Sequence, residues 1–449
     1  METVKIQKDN NEMSSIKKNL LYVYSVNLIN GFAGIAFIPI ALKSLGAEGY
    51  GIYSIFIILS SYIYFIEMGV AKYFTRTIAQ TNIEQEQEKN VRTAVSIYIR
   101  ITFILMGITP ILVYVVPNFI FPTDNHNLVG VMVILAAIDY LLSIPTTIQV
   151  TYTTGKENFY KISKFNLFSG LSKNLSLILA VIFIKSVIFV ILVMLLRRIV
   201  DIYYARKYLE KLPGKSWKPL YKKGEFKKII SQSIFLSAAQ LTQITIISIG
   251  TYLVNKNFSI EELGIYKSTF DLATKIWFFS NSLGLVIFPR FSSLLTKEQG
   301  KDLLLPKLMV INNLSWILYN FFFLSVFYIL PNLPNVLLIK NMDLFFLLLY
   351  GACLNAHTNL SYEFLQADSK LRQVIVTSLL ALVLIYITFH MTIETYGLTA
   401  IGISWVVSQL IYSFVMDILA IKEIKRSKFI LSLLLNVFVV LIIGVLILM

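Results

Sequence analysis

The sequence predicts an all-α membrane protein whose helices cross a bilayer about twelve to fourteen times. Of 449 residues, 56% are hydrophobic and 14% are charged, with a mean hydropathy of +0.71. Soluble domains are roughly 45–50% apolar and about 25% charged. Apolar runs of roughly 20 residues, the length that crosses a bilayer as a helix, recur from Leu20 to Met449. Basic residues also concentrate in alternate connecting loops, as expected of a multi-pass protein.

Thirteen apolar spans follow one another along the chain. They cover residues 19–42, 51–74, 94–118, 128–149, 162–184, 186–206, 229–254, 264–289, 308–331, 343–363, 371–391, 398–421 and 428–449. The basic start of the chain, through Lys17 and Lys18, leads directly into the first span. We therefore expect a retained helix rather than a cleaved signal peptide. Only Lys185 and its neighbours separate the fifth span from the sixth.

The distribution of charge predicts the orientation in the membrane. With the N-terminus in the cytoplasm, the predicted outer loops hold only Lys43, Lys185, Lys256 and Lys340 of the 40 basic residues, and most of the others fall in inner segments. This asymmetry predicts a multi-pass protein of the cell membrane with a cytoplasmic N-terminus. The net charge of +15 is then explained by topology and by attraction to anionic lipids, and binding to nucleic acid is not expected.

The largest inner loop divides the predicted helices into two groups. Residues 206–228 carry nine basic side chains and form a predicted cytoplasmic linker. An N-terminal six-helix lobe, 1–205, precedes it, and a C-terminal six-helix lobe, 229–421, follows, with an additional helix at 422–449. Two such halves are typical of transporters. The outer loops are short and leave no room for an extracellular catalytic domain, so an enzyme is not expected.

Charged residues inside the spans are candidates for function, because each costs about 2.5–3.5 kcal/mol to insert. The cationic candidates for a substrate-binding cavity are Arg100, Lys173, Arg197, Arg198, Lys267 and Lys275. Arg197 and Asp201 are four residues apart, and Lys267, Asp271 and Lys275 form a stripe at the same spacing. Each acid could neutralise its helical neighbour, or the excess of cations could select an anionic substrate. Lys173 has no acid within its own span.

Four further residues are candidates for coupling to an ion: Glu67, Asp139, Asp271 and His357. A drug antiporter needs a buried carboxylate, and Asp139 is the best candidate for one. The alternative for Asp139 is a hydrogen bond between packed helices. His357 could carry a proton because histidine titrates near neutral pH, or it could simply pack. The segments outside the spans contain no metal-ligand spacing, glycine-rich phosphate loop or nucleophile motif, and no cofactor or metal is expected.

Two stretches near the N-terminus carry a family motif. Residues 39–53 read P-I-A-L-K-S-L-G-A-E-G-Y-G-I-Y, and residues 67–79 read E-M-G-V-A-K-Y-F-T-R-T-I-A. They resemble the Wzx-type polysaccharide-repeat flippases, in the superfamily that also holds MATE multidrug exporters and the lipid II flippase. The matching residues are Leu45, Gly46, Glu48, Tyr50, Gly51, Gly69 and Arg76, and Glu67 stands where aspartate is commoner. Residues 263–266 (L-G-I-Y) and 288–294 (F-P-R-F-S-S-L) are similar to the family's pattern around the eighth helix.

The resemblance implies a V-shaped transporter with two lobes around a cationic central cavity. Its cargo would be a polyprenyl-pyrophosphate-linked oligosaccharide, moved to the outer leaflet for O-antigen, capsule or exopolysaccharide synthesis. The pyrophosphate would bind desolvated cations, which Lys173, Arg197 and Lys275 could supply. Implied partners are membrane lipids, a polysaccharide polymerase and a chain-length regulator. The alternatives are a MATE-like multidrug antiporter, a lipid II flippase and a membrane polymerase or ligase. The family has twelve or fourteen helices, so a thirteenth span would be a departure.

Overall fold

The structure is a computed structural model, which describes residues 2–65, 67, 69–81, 83–121, 126–221, 224–281, 300–332, 341–368 and 370–421. Within these ranges all regular structure is helical, which confirms the predicted all-α fold. The main helices are α1 Glu2–Phe65, α2 Val70–Ala79, α3 Glu84–Val115, α4 His126–Gly155, α5 Phe159–Ile184, α6 Val187–Tyr208, α7 Glu225–Asn257, α8 Ile260–Ala273, α9 Gly300–Ile329, α10 Met342–Ala367, α11 Leu371–Tyr396 and α12 Ala400–Ile421. The predicted span 428–449 and the 288–294 motif lie outside the described residues.

Six helical segments in the described ranges are long and apolar enough to cross a membrane. They are Tyr24–Phe65, Glu84–Ile120, His126–Gly155, Phe159–Ile184, Val310–Ile329 and Leu371–Ala420. These segments confirm a multi-pass membrane protein. Helix α6 is long enough to span as well, but it carries Arg197, Arg198 and Asp201 near its centre. Its polar residues therefore need partners inside the protein.

Residues in the left-handed backbone region divide the apolar runs. Gly46 (φ 73°) kinks α1 where the sequence predicts an outer turn. The predicted span 51–74 is interrupted, because α1 ends at Phe65 and Gly69 (φ 68°) starts α2. Lys185 (φ 51°) ends α5 and separates it from α6, which confirms two distinct helices. Continuous hydrophobicity does not reveal the break at Gly69, since it depends on the backbone angle of a single residue.

Glycines from two of the family motifs, residues 39–53 and residues 263–266, lie where helices pack against each other. A Cβ atom on Gly51 would lie 2.6 Å from the carbonyl oxygen of Ile260, and one on Gly264 would overlap the carbonyl of Ala47. The backbone of α1 just after its kink at Gly46 is therefore in direct contact with the backbone of the first turns of α8. Only glycine allows so close an approach. Helix packing therefore explains the glycines at positions 51 and 264.

The chain divides into two compact units, residues 1–268 and 269–449. In the first, α1 packs on α4 and α5, and α6 packs on α4 and α5. In the second, α12 packs on α10 and α11, and α9 packs on α10. Each unit encloses a cluster of buried polar side chains at the meeting point of these helices.

Candidate functional site

The first polar cluster is built around Arg197 in the middle of α6. Helix α6 has 22 residues, about 33 Å at 1.5 Å per residue, and Arg197 is its eleventh. Its guanidinium forms a bidentate pair with Asp201: Nη1 donates to Oδ1 at 2.6 Å, and Nη2 donates to Oδ2 at 2.5 Å. Nη1 also donates to the carbonyl and hydroxyl oxygens of Ser169 on α5, at 2.9 and 3.1 Å. The pairing that the four-residue spacing predicts is therefore confirmed.

Arg198 makes a second bidentate pair across the bundle. Its Nε and Nη2 donate to the two carboxylate oxygens of Asp139 on α4, each at 2.7 Å. Nη2 also donates to the hydroxyl of Tyr64 on α1 at 2.5 Å, and that hydroxyl donates to Asp139 at 3.2 Å. Arg198 Nη1 lies 3.7 Å from Asp201. The cluster thus joins α1, α4, α5 and α6 and balances two cations with two carboxylates.

This geometry separates the roles of the two arginines. Arg197 has a side-chain exposure of 9%, and its guanidinium faces partners on two helices. Arg198 is 23% exposed while Asp139 and Asp201 are each 3% exposed. An anionic group could reach only the exposed edge of Arg198 without first breaking a buried pair. Breaking such a pair costs about 3–5 kcal/mol.

The other predicted cations lie elsewhere. Lys173 is half-buried on α5, one turn beyond Ser169 and on the same face. Lys267 is buried within α8. Lys275 lies in a 3₁₀ turn, Thr274–Ile276, with its ammonium 5.7 Å from the centre of the Phe278 ring. The Arg100 guanidinium lies over the Tyr221 ring at 5.3 Å, in the loop that follows α6.

The predicted stripe of Lys267, Asp271 and Lys275 assumed one continuous α-helix. Helix α8 ends at Ala273, and the next turn is 3₁₀. A 3₁₀ helix has three residues per turn, so the helix geometry changes between Asp271 and Lys275. Asp271 is half-buried on α8.

Glu67, the acid of the N-terminal motif, holds a helix junction together. It follows the end of α1 and accepts hydrogen bonds from the Tyr98 hydroxyl at 2.8 Å and from the Ala71 amide at 3.2 Å. The Ala71 amide is one of the unpaired donors in the first turn of α2. The Glu67 carboxylate therefore caps the N-terminus of α2 and connects it to Tyr98 on α3.

The second polar cluster surrounds His357 on α10. Its Nε2 lies 2.8 Å from Asp417 on α12, and its Nδ1 lies 2.8 Å from the hydroxyl of Ser315 on α9. The other oxygen of Asp417 accepts a hydrogen bond from Ser361 at 2.6 Å. The Trp316 ring closes one side, with its centroid 4.8 Å from the imidazole. His357, Asp417 and Ser361 are buried.

The hydrogen-bond directions in this cluster fit a pair that shares a proton. When the Ser315 hydroxyl donates to the Asn312 carbonyl, at 2.9 Å, it accepts from His357 Nδ1, at 2.8 Å. The proton between Nε2 and Asp417 can then belong to either group. One arrangement is an imidazolium facing a carboxylate, and the other is a neutral imidazole facing a carboxylic acid. Both arrangements hold the same number of protons, so the pair is neutral overall in each.

Sequence reasoning missed some of the partners in each cluster. Asp417 lies only four residues from the end of the predicted twelfth span, where an acid needs no intramembrane explanation. Ser169 and Tyr64 are polar residues of types that occur throughout membrane helices. The signal that could have identified Asp417 is the presence of a second ionisable residue in the span after next from His357.

Comparison with known proteins identifies the family. The family described as "Polysaccharide biosynthesis protein" matches residues 16–295, which is more than half of the chain. The chain belongs to this family. A "Putative O-antigen transporter" of Shigella flexneri is 21% identical over 412 residues, covering 88% of this chain and 94% of that protein.

Solved structures with the same fold belong to transporters. A multidrug resistance MATE family transporter of the MOP superfamily, in an inward-facing conformation, matches with a TM-score of 0.62 and 12% identity, covering 91% of this chain and all of the other. The lipid II flippase MurJ, in an inward closed conformation, matches with a TM-score of 0.59 and 11% identity, covering 94% and 97%. Identities this low show a shared fold, which confirms the predicted similarity to MATE transporters and lipid flippases.

Proposed function

We propose that this member of the polysaccharide biosynthesis family is a flippase for polyprenyl-pyrophosphate-linked oligosaccharide repeat units. It moves them from the inner to the outer leaflet of the cell membrane, for O-antigen, capsule or exopolysaccharide synthesis. The observation that carries the proposal is the family match over residues 16–295. Similarity to the Shigella flexneri protein over almost its whole length supports it.

The intramembrane charges support an anionic cargo. We assign contact with the pyrophosphate to Lys173, Lys267 and Lys275, together with the exposed edge of Arg198. A pyrophosphate binds most tightly to cations that are already stripped of water. Arg197 joins α5 and α6, the helices that carry Lys173 and Arg198. Arg100 has a place nearer the loop after α6, where it could meet the substrate first.

Energy for the cycle comes, in this proposal, from protons at the His357–Asp417 pair. The pair is buried in the second unit and consists of two groups that can each bind a proton, an imidazole and a carboxylate. A neutral pair and a pair with one extra proton differ by a full charge in a dry environment. Such a change is large enough to bias a two-state transporter. Asp139 already binds Arg198, which makes it a weaker candidate for coupling.

The proposed topology places the N-terminus and residues 206–228 in the cytoplasm, with six-helix lobes at 1–205 and 229–421. The charge asymmetry of the loops supports this orientation. Membrane lipids are the immediate partners. A polysaccharide polymerase and a chain-length regulator would receive the cargo after flipping. Reporter fusions after Lys218 should indicate the cytoplasm, and a periplasmic or external signal there would reverse the proposed orientation.

A MATE-like drug antiporter is the second candidate. The specific observation in its favour is the structural similarity to the MATE transporter together with buried carboxylates at Asp139 and Asp417. Deleting the gene separates the two functions. A flippase deletion should stop surface polysaccharide and leave lipid-linked repeats on the inner leaflet. Normal polysaccharide with heightened drug sensitivity would instead establish the antiporter.

A further inference from the structure

A cavity of about 260 Å³ lies where α4 and α6 end on the same side of the first unit. It is lined by Gln149, Arg206, Lys211, Leu212, Gly214, Ser216 and Trp217. Most of these residues belong to the loop that follows α6, which the sequence treats only as a basic linker. The cavity is large enough for a small anion with several oxygens. None of the predicted site residues lines it.

The walls of the cavity are held by hydrogen bonds. Gln149 Nε2 donates to the Glu210 carbonyl at 3.2 Å, and the buried Ser216 hydroxyl donates to the Pro213 carbonyl. The Lys215 amide donates to the Glu88 carboxylate at 3.2 Å, which fastens the loop to α3. A Cβ atom on Gly214 would overlap that same carboxylate. The loop is therefore preformed, and little ordering is needed when a ligand binds.

The cavity keeps two positive charges without a counter-ion among the described residues. Arg206 and Lys211 are exposed and make no ion pair there. The adjacent acid, Glu210, is occupied by Lys161 Nζ at 2.9 Å and by Asn158 Nδ2 at 2.8 Å. The Lys161 ammonium, above all, holds the pKa of the Glu210 carboxyl below its usual range. That carboxylate is therefore already paired with Lys161.

These groups specify an anion. An arginine guanidinium presents paired donors to phosphate oxygens, and a lysine adds a point charge. The Trp217 indole, 51% exposed, supplies an apolar wall against which a lipid or sugar portion can rest. Because α6 is about as long as the hydrocarbon core is thick, its last turn lies at the depth of lipid headgroups. Arg206 is in that last turn.

We infer that this cavity is a docking site for the diphosphate of a lipid-linked substrate at the membrane surface. The inference rests on the proposed function, and it adds a site separate from the intramembrane cations. Arg206 and Lys211 hold the diphosphate at headgroup depth before the lipid-linked sugar moves into the membrane-spanning bundle. Removing them weakens capture and leaves the later transport step intact.

The test uses the full-length protein in nanodiscs, with polyprenyl diphosphate in the lipid as one probe and inorganic pyrophosphate in solution as the other. Each lost charge-assisted contact should lower affinity by about tenfold. We expect Arg206→Gln and Lys211→Gln each to weaken binding of polyprenyl diphosphate and the double variant to weaken it most. Lys207→Gln is the matched control, because Lys207 lies beside Arg206 in the last turn of α6, carries the same charge and does not line the cavity.

Several outcomes would overturn the inference. If the double variant binds polyprenyl diphosphate within about twofold of the Lys207→Gln control, the cavity is not the docking site. If only inorganic pyrophosphate depends on Arg206 and Lys211, the cavity binds a free anion and not the lipid. In a flipping assay, the double variant should need more substrate for half-maximal rate while the maximal rate changes little. Loss of the maximal rate alone would contradict a docking role.

The same measurements keep this inference separate from the proposed function. Should gene deletion leave surface polysaccharide intact while the double variant still loses binding, the flippase function fails and a diphosphate site remains. Should flipping be established while binding is unchanged in the double variant, only the docking site fails. A thermal melt of each variant confirms folding, since all three substitutions are on exposed side chains.

Discussion

Substitutions at the buried pair of Arg197 and Asp201 can show whether Arg197 stabilises the fold or binds the substrate. Replacing Arg197 by Gln removes four hydrogen bonds, two to Asp201 and two to Ser169. Asp201, which is buried, keeps the bond from the Ser169 hydroxyl at 2.6 Å and the more distant Arg198 at 3.7 Å. Stranding a buried carboxylate in this way costs about 3–5 kcal/mol. A typical domain has about 5–15 kcal/mol of stability in total.

We therefore expect Arg197→Gln to lose much of its abundance in the membrane and to melt at a lower temperature in detergent. Removing the acid as well, with Asp201→Asn, should restore both abundance and melting temperature, because no unpaired charge is left. Arg197→Lys should be intermediate, since the charge survives and the bidentate geometry is lost. Fluorescence-detected size exclusion and thermal melts measure all of these variants.

Transport measurements complete the test. In the double variant, restored abundance should bring restored transport, because Arg197 acts by positioning α5 and α6. Normal abundance of Arg197→Gln with loss of transport would refute this reasoning. So would a double variant that is abundant but inactive, since that result would make Arg197 a substrate ligand.

Three further predictions concern other parts of the chain. Gly264→Ala should reduce abundance, because its methyl group has no space against a backbone carbonyl; membrane abundance by immunoblot measures it, and wild-type abundance would contradict it. The pKa of Glu210 is lowered in the folded state, so its ion pair stabilises the protein at neutral pH and this contribution is lost as pH falls through the folded pKa. The melting temperature should therefore decrease when the pH is lowered below about 5. Glu210→Gln should make this decrease smaller; an equal decrease in wild type and variant would show that the pair contributes nothing. Asp417→Asn should abolish the response of transport to an imposed pH gradient in proteoliposomes, as should His357→Asn; an unchanged response would exclude proton coupling there.

The sequence could predict what depends on short-range spacing. Apolar runs identified the helices, since burial in lipid requires continuous hydrophobicity. The four-residue spacing identified the pair of Arg197 with Asp201, because such residues share a helix face. The direction of Arg198, about 100° away, indicated that it could not share that acid equally well. The structure agrees, since Arg198 lies 3.7 Å from Asp201 and 2.7 Å from Asp139.

What the sequence could not predict depends on tertiary packing or on a single backbone angle. Arg198 and Asp139 are 59 residues apart, and His357 and Asp417 are 60 apart. No local pattern connects residues at that distance along the chain. The interruption of the second span at Gly69 arises from a backbone angle, which hydropathy does not report.

The chemistry of the two clusters assigns them different roles. Arginine stays protonated in proteins, so the cluster of Arg197 and Arg198 keeps its cations throughout a transport cycle. Such a cluster can orient helices and attract an anion, but it cannot carry protons through its cations. The imidazole of His357 can bind a proton, unlike a guanidinium that already carries one, and it lies 2.8 Å from the Asp417 carboxylate. In the function proposed above, the first cluster therefore holds α5 and α6 together and offers the exposed edge of Arg198 to the anion, and energy coupling is assigned to the His357–Asp417 pair.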